Sequence, residues 1–449
     1  MSKKIVIIGA GSGFGARLSL DIMSRECLQD SEICLVDLHE GRLAKVYEYV
    51  KNTAEHYNLP TKIKASTDRL TVLKDADYVI TSVAVGGGAY YGHPFNDEVR
   101  IPRKYGVDQS VADTISVGAV FRFLRTAPVH LQILRDVERL APNCLHLNHT
   151  NPMSALTMLH NTQTSLKTIG LCHGIIATNS EFCRPLGIDP STTQYKVAGI
   201  NHMAWFLEWT KDGEDLYAKL DALLADKENE KVQAFEKSES TRLEIYRAFG
   251  YFPTESNRHD SEYFPYFRRT QEIRDYYFLD SRKLTEELAS TREWMKDGEG
   301  DKLYGNIRRS NEYTTAIMEA IETGVPYRFN GNVMNTGLIT NLPENCSVEV
   351  PCLVDSFGIH PTYVGALPTQ CAALNRGPIS QQQLMLEAVV RRDRDAAFHA
   401  CCVDPLASSV CTLPQLRDMF EELWSAETEL LKWFDKGHTG PVPEIYAAN

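Results

Sequence analysis

Reactive side chains in this chain gather directly after apolar runs, where an open α/β sheet presents its ligands. The first gathering is Gly9-Ala-Gly11-Ser12-Gly13-Phe14-Gly15, between a buried-strand pattern over 4–8 and helical periodicity over 16–23. Glycines there let the backbone turn tightly and bring a pyrophosphate onto the N–H groups of a helix N-terminus. Phe14 replaces the third glycine of G-x-G-x-x-G, with glycines on either side. The next apolar run ends in Asp37, an acid of the kind that accepts hydrogen bonds from the adenosine ribose hydroxyls and selects NAD over NADP. Strand, turn, helix, strand and acid in that order predict an NAD site formed by Gly9, Gly11, Ser12, Gly13 and Asp37.

Two later strand ends carry polar clusters. Leu145-His-Leu-Asn148-His149-Thr150-Asn151-Pro152 offers hydrogen-bonding groups for nicotinamide (Asn148) and a polyhydroxylated substrate (Asn151), although Asn151 also suits helix-cap service before Met153. Thr168-Ile-Gly-Leu-Cys172-His173-Gly174 repeats the design, and Asn201-His202 lies on a short segment near a change of pattern. A soft thiolate with an imidazole suits a borderline divalent metal. By spacing alone, a packed cysteine and a satisfied core histidine are the better account of the pair.

These side chains need a frame. Apolar, β-branched runs at 4–8, 32–38, 62–65, 78–85, 145–147 and 168–171 alternate with helical patterns, which predicts a Rossmann-type doubly wound parallel sheet, here α/β. From about residue 190 longer helical stretches take over, at 214–247 and 380–397, with a few strand-like pieces. The chain is therefore expected to divide into an NAD-binding domain, 1–190, and a mostly helical α+β domain, 191–449, for substrate, metal and oligomerisation. With 449 residues it exceeds what one compact domain usually holds.

Lys+Arg 47 against Asp+Glu 59 leaves a net charge of -12, which repels phosphate backbones and anionic headgroups. Neither nucleic acid nor a membrane is an expected partner. No apolar run approaches the ~20 residues of a membrane helix, and the N-terminus enters a strand without a cleavable signal, so a cytoplasmic location is expected. Eleven scattered cysteines suit free thiols in a reducing compartment.

In order and spacing, Gly9-x-Gly11-Ser12, Asp113-Thr114 before Phe121-Arg-Phe-Leu-Arg125, Asn148-x-x-Asn151-Pro152, Cys172-His-Gly174 and Asn201-His202 resemble the motifs of glycoside hydrolase family 4. The resemblance extends to Asn330-Gly-Asn332, Leu342-Pro-Glu344 and Ala366-Leu-Pro368. It implies the lactate/malate dehydrogenase-like fold and a glycosidase that uses NAD and a divalent metal, usually Mn²⁺ with Co²⁺ or Ni²⁺ as alternatives, outside the two-carboxylate mechanism of most glycosidases. In such a family NAD takes hydride from C3 of the sugar, a base removes the acidified C2 proton, the glycosidic oxygen leaves, water adds at C1, and the hydride returns. The resemblance makes Cys172 and His202 the metal ligands, His173 the acid for the leaving group, and Asp113 with Asn151 substrate contacts.

The C2 base is open among His259, Glu255 and Tyr251, in a polar, aromatic and charged segment suited to an active-site lid. The pair after the cysteine, His173-Gly174, resembles the subgroup acting on uronides, which implies an α-galacturonidase. An α-glucuronidase, or a neutral α-galactosidase or α-glucosidase, is the alternative. A uronate carboxylate needs an arginine fork, for which Arg258, Arg268 and Arg269 are candidates. A homodimer or homotetramer is expected from the family. A 2-hydroxy-acid dehydrogenase and a non-catalytic NAD sensor are readings from other classes; the first is disfavoured by Cys172, His202 and the long C-terminal half, and the second predicts no metal requirement.

Overall fold

The computed structural model describes residues 2–86, 92–284, 298, 299 and 302–437. Its frame is a mixed sheet whose parallel part comprises β1 (Lys4–Ile8), β2 (Glu32–Val36), β3 (Lys62–Ser66), β4 (Tyr78–Thr81), β5 (Leu145–Asn148) and β6 (Lys167–Gly170). Their spatial order is 3-2-1-4-5-6, so the direction of winding reverses between β1 and β4. Ligands bind at such a reversal, beyond the carboxyl ends of the strands.

Strand alternation distributes the core. In β1, Ile5 and Ile7 pack with Leu18 and Ile22 of α1 (Gly13–Met23) and with Leu43, Val46 and Val50 of α2 (Glu40–His56). Val6 and Ile8 point the other way. After α3 (Asp97–Lys104) comes α4 (Val117–Leu140), whose Val129, Ile133, Leu134 and Val137 cover that second face. A sheet covered on both faces reads as continuous apolar runs, which is why β1, β2 and β4 were legible as strands.

Beyond β6 the sheet continues without a break. The strands Tyr327–Met334 and Ser347–Asp355 follow, then β7 (Gln194–Ile200) and β8 (Met203–Lys211), all joined by antiparallel pairing. The strand-like pieces of the second half therefore extend the first half's sheet, while helices such as Thr369–Arg391 and Leu413–Ala426 pack around α4 and α5 (Met153–Gln163). Two helical expectations shift. The stretch 214–247 begins as a short strand and breaks into Leu216–Leu224, Glu230–Ser238 and Ser240–Phe249, because Asn229 caps a fresh helix through the N–H of Lys231. The helix expected over 380–397 starts at Thr369 and stops at Arg392, in left-handed conformation at φ 55°.

Candidate active site

The glycine turn sits at the β1/β4 reversal. Gly9 has φ +88°, and a Cβ there would lie 2.1 Å from the carbonyl oxygen of Ser82, so only glycine lets the turn cross β4. Gly15 takes the part vacant at Phe14: its missing Cβ would stand 2.5 Å from the Ala10 carbonyl oxygen, and α1 rests directly on the turn. Ser12 precedes the helix in extended conformation and Gly13 opens it. Asp37 closes the other side, accepting from the N–H groups of Gly11 (2.8 Å) and His39 (2.9 Å). Gly9, Asp37, Val83, Ala84 and Val85 line a cleft at this edge.

A cavity of ≈ 290 Å³ adjoins it, lined by Val83, Phe95, Val111, Asp113, Arg122, His149, Asn151 and Arg282 among others. Asn151 donates to Asp113 at 3.2 Å, so these two sequence candidates meet in its wall. Asn148 does not line it. Fully buried, its amide is occupied by Thr81 (2.9 Å) and by both backbone groups of Thr150 (3.0 and 3.1 Å), which fixes the end of β5. The neighbouring His149 reaches the cavity instead, its ring centroid 4.8 Å from that of Phe14 with the planes tilted by 55°, and it is bonded to Thr314 at 2.7 Å.

Behind the cavity lies a cluster of donors. Cys172 follows β6, and its Sγ is 3.4 Å from Nε2 of His202, which occupies the tight β7–β8 turn at φ +62°. Glu255, also at positive φ (+82°), brings Oε1 to 3.8 Å from the same nitrogen. The three ligand atoms lie within 4.8 Å of one another, a sulfur, a nitrogen and an oxygen that fit a borderline divalent cation. Non-glycine residues at positive φ are uncommon and gather where function demands a strained position. Burial lowers the His202 pKa, partly offset by Glu255, so the imidazole is held neutral as a ligand must be. Burial, with Glu255 and Glu349 nearby, pushes the Cys172 thiol well up; a cation is the natural counter-charge for its thiolate.

His259, on the helix Asn257–Tyr263, stands 4.7 Å from the His202 ring and shares its two nitrogens between Asp113 (3.4 Å) and Glu255 (3.4 Å). Burial disfavours its charge, but Asp113 and Glu255 outweigh burial and raise its pKa to about 9. The Asp113 carboxyl is held far below its ordinary range despite burial, chiefly by His259 and His202. Thr114 ties the two halves together, donating to Asp113 at 3.0 Å and meeting Nδ1 of His202 at 3.1 Å.

Not every sequence candidate arrives here. His173 is two-thirds exposed at the start of α6 (Gly174–Leu186), 3.7 Å from Glu312. Tyr251 packs against the apolar core and makes no contact with the cluster among the described interactions. Arg258 is exposed and donates to Ser110 at 3.3 Å, Arg268 is buried against Asp108 at 2.7 Å, and Arg269 is exposed; none of them lines the cavity. The cavity's arginines are Arg122 and Arg282, which sequence reasoning missed. Arg122 falls within the quoted Phe121–Arg125 segment, but nothing in that segment shows which of its residues turns inward.

A dinucleotide-type sheet whose carboxyl edge holds both a glycine turn and a buried thiol–imidazole–carboxylate cluster defines a class in which cofactor and cation chemistry meet in one cleft. The chain belongs to family 4 of the glycosyl hydrolases. The profile described as "Family 4 glycosyl hydrolase" matches residues 4–188 and "Family 4 glycosyl hydrolase C-terminal domain" matches 197–407. An alpha-galactosidase of Bacillus subtilis (strain 168) is 38% identical over 96% of this chain and 99% of its own. An alpha-galacturonidase of Thermoanaerobacter italicus is 27% identical over 96% and 97%. The fold is shared with the 6-phospho-beta glucosidase of Thermotoga maritima, solved with manganese, NAD⁺ and glucose-6-phosphate (TM-score 0.73, 23% identity, 95% and 99% coverage).

Proposed function

We propose that this glycosidase uses NAD and Mn²⁺ to hydrolyse α-galactosides. The observation that carries the reading is one cavity that shares Val83, Ala84 and Val85 with the Gly9–Asp37 cleft and whose Asp113 reaches the Cys172–His202–Glu255 cluster through His259. A cation held by Cys172 and His202 would supply Lewis acidity to sugar oxygens, and NAD would accept and return the C3 hydride. Asp113 and Asn151 present a carboxylate and an amide to sugar hydroxyls from the cavity wall. His259, oriented by Asp113, takes the C2 proton in the cation-loaded site, where the added positive charge beside Glu255 would lower the pKa that Asp113 and Glu255 raise. His173, two-thirds exposed and next to Cys172 in the chain, is the candidate acid for the leaving group.

Similarity to an alpha-galactosidase at 38% identity supports a neutral C6 on a galacto-configured sugar. The galacturonide implied by Cys172-His173-Gly174 is the second reading, and the observation favouring it is the pair of guanidinium groups, Arg122 and Arg282, in the cavity wall. Arg122 is already paired with Glu98 at 3.2 Å and Asp113 shares the wall, which weighs against a further carboxylate.

The test supplies NAD, Mn²⁺ and thiol together with an aryl α-galactoside or an aryl α-galacturonide, following both sugar release and absorbance at the NADH band. Cleavage of the neutral galactoside without net NADH is expected, at least tenfold faster in kcat/KM than that of the uronide. A reversed order would establish the uronide reading. Stoichiometric NADH without cleavage would make the protein a dehydrogenase, and silence in both signals across galacto- and gluco-configured glycosides would end the hydrolase reading.

A further inference from the structure

We infer that Glu255 is a third protein ligand of the cation held by Cys172 and His202, and that residue 174 lacks a side chain in order to admit it. The inference rests on the metal-dependent reading above and adds to it a ligand and the residue that makes room for that ligand.

Glu255 is placed with unusual firmness. Its backbone has φ +82°, a conformation a glutamate adopts only when its surroundings impose it. Thr178 imposes it, accepting from the N–H of Glu255 at 3.1 Å and donating to its carbonyl oxygen at 3.4 Å, while Arg242 also donates to that carbonyl. The carboxylate so aimed divides its oxygens. Oε2 faces Nδ1 of His259 at 3.4 Å and accepts from the N–H of Ser256 at 3.0 Å. Oε1 faces Nε2 of His202, the nitrogen that also faces the Cys172 sulfur. One carboxylate oxygen is thus given to the donor cluster while the other is anchored outside it, as metal-binding carboxylates are held by hydrogen bonds to their second oxygen.

Gly174 completes the case. A Cβ built there would stand 2.6 Å from Oε1 and 3.2 Å from the carboxyl carbon of Glu255. Its other role, donating its N–H to the Cys172 sulfur at 3.4 Å, is open to any residue but proline. The clash falls on the tip of a side chain, so an alanine at 174 would turn the Glu255 carboxylate aside and leave the backbone in place. That gives two independent ways to withdraw one ligand: removing its charge, or displacing it intact.

The experiment titrates Mn²⁺ into the full-length protein in the presence of NAD and reads free Mn²⁺ by electron paramagnetic resonance, for the parent, Glu255→Gln and Gly174→Ala. Both variants are expected to bind Mn²⁺ 10- to 100-fold more weakly, the range in which ligand-shell changes act. Co²⁺ loading is the second readout. The thiolate-to-cobalt charge-transfer band persists in both variants, because Cys172 remains, while the visible ligand-field bands change intensity as the coordination changes. Mn²⁺ affinity within threefold of the parent in both variants overturns the inference, and so does Glu255→Gln with unchanged Mn²⁺ binding and lost hydrolysis, which would make Glu255 a proton-transfer group. A parent that binds no Mn²⁺ overturns the metal-dependent reading itself and the inference with it.

Discussion

His259 is the residue on which the electrostatics of the centre depend, because a buried imidazole lies between two carboxylates. Its pKa of about 9 exceeds the ordinary 6.5, so protonation favours the folded state. In metal-free protein that stabilisation is complete below about pH 6.5 and disappears as the pH climbs through about 9. At 1.36 kcal/mol per unit it amounts to roughly 3 kcal/mol. Asp113→Asn removes the largest attractive partner and should flatten this dependence. Denaturant unfolding of chelator-treated protein at pH 6 and pH 9.5 checks it: the parent should lose up to roughly 3 kcal/mol between the two and the variant markedly less. Parallel losses would show that Asp113 does not hold the charge. At this scale residue type and spacing alone favour a packed cysteine and a core histidine, and it is the family resemblance that singles out Cys172 and His202 as a pair; the two side chains meet at 3.4 Å. Arg122, Arg282 and the mutual fit of Gly174 with Glu255 were not legible, because each depends on which way a side chain faces across elements far apart in the chain.

Elements carry the next level of control, in the grip of the helix Asn257–Tyr263 on the loop before Asp113. Glu262, one turn beyond His259 and so on the same face of that helix, accepts from three consecutive N–H groups: Ser110, Val111 at 2.8 Å, and Ala112 at 3.2 Å. Ala112 at φ +56° helps curl those amides into a nest for an anion. Arg258 adds a bond to Ser110, and Arg268 anchors the loop's start through Asp108. The clamp therefore holds both partners of the Asp113–His259 pair, and Glu262 is a positioning residue. Glu262→Gln points an amide N–H₂ at amide donors and should cost ~3 kcal/mol in local stability. Hydrogen exchange at residues 110–112 should quicken at least tenfold, kcat should fall at least tenfold, and Mn²⁺ affinity should stay within threefold. Unchanged exchange at those amides would remove Glu262 from the role. Strands β1, β2 and β4 could be read from apolar runs because both their faces are buried, whereas β3, exposed along most of its length, was placed by its alternation with the helices. The antiparallel strands that extend them could not be assigned to the same sheet, since such pairing is decided by register between segments as distant as Asn332 and Gly170.

At the scale of the whole molecule, that continuous sheet determines how cation binding and folding are linked. Cys172 follows the last parallel strand, whereas His202 and Glu255 come from beyond β7, across two strands contributed by residues 327–355. A cation at the cluster would therefore tie the parallel part of the sheet to its antiparallel extension. The tie joins parts that already share a core: Ile169 in β6 and Leu171 just after it pack in one cluster with Ile200, Trp205, Val348 and Val350. Shared packing predicts one cooperative unfolding transition rather than two, and binding only to the folded chain predicts that Mn²⁺ shifts this transition without splitting it. At a hundredfold excess over its dissociation constant the cation contributes about 2.7 kcal/mol. For a chain of this length that corresponds to a rise of a few degrees in Tm. Calorimetry with and without chelator measures it, and Cys172→Ser should abolish the metal-dependent shift while keeping the single transition. Two resolved transitions in the metal-free protein, merging when Mn²⁺ is added, would show instead that the cation, and not the sheet, holds the halves together.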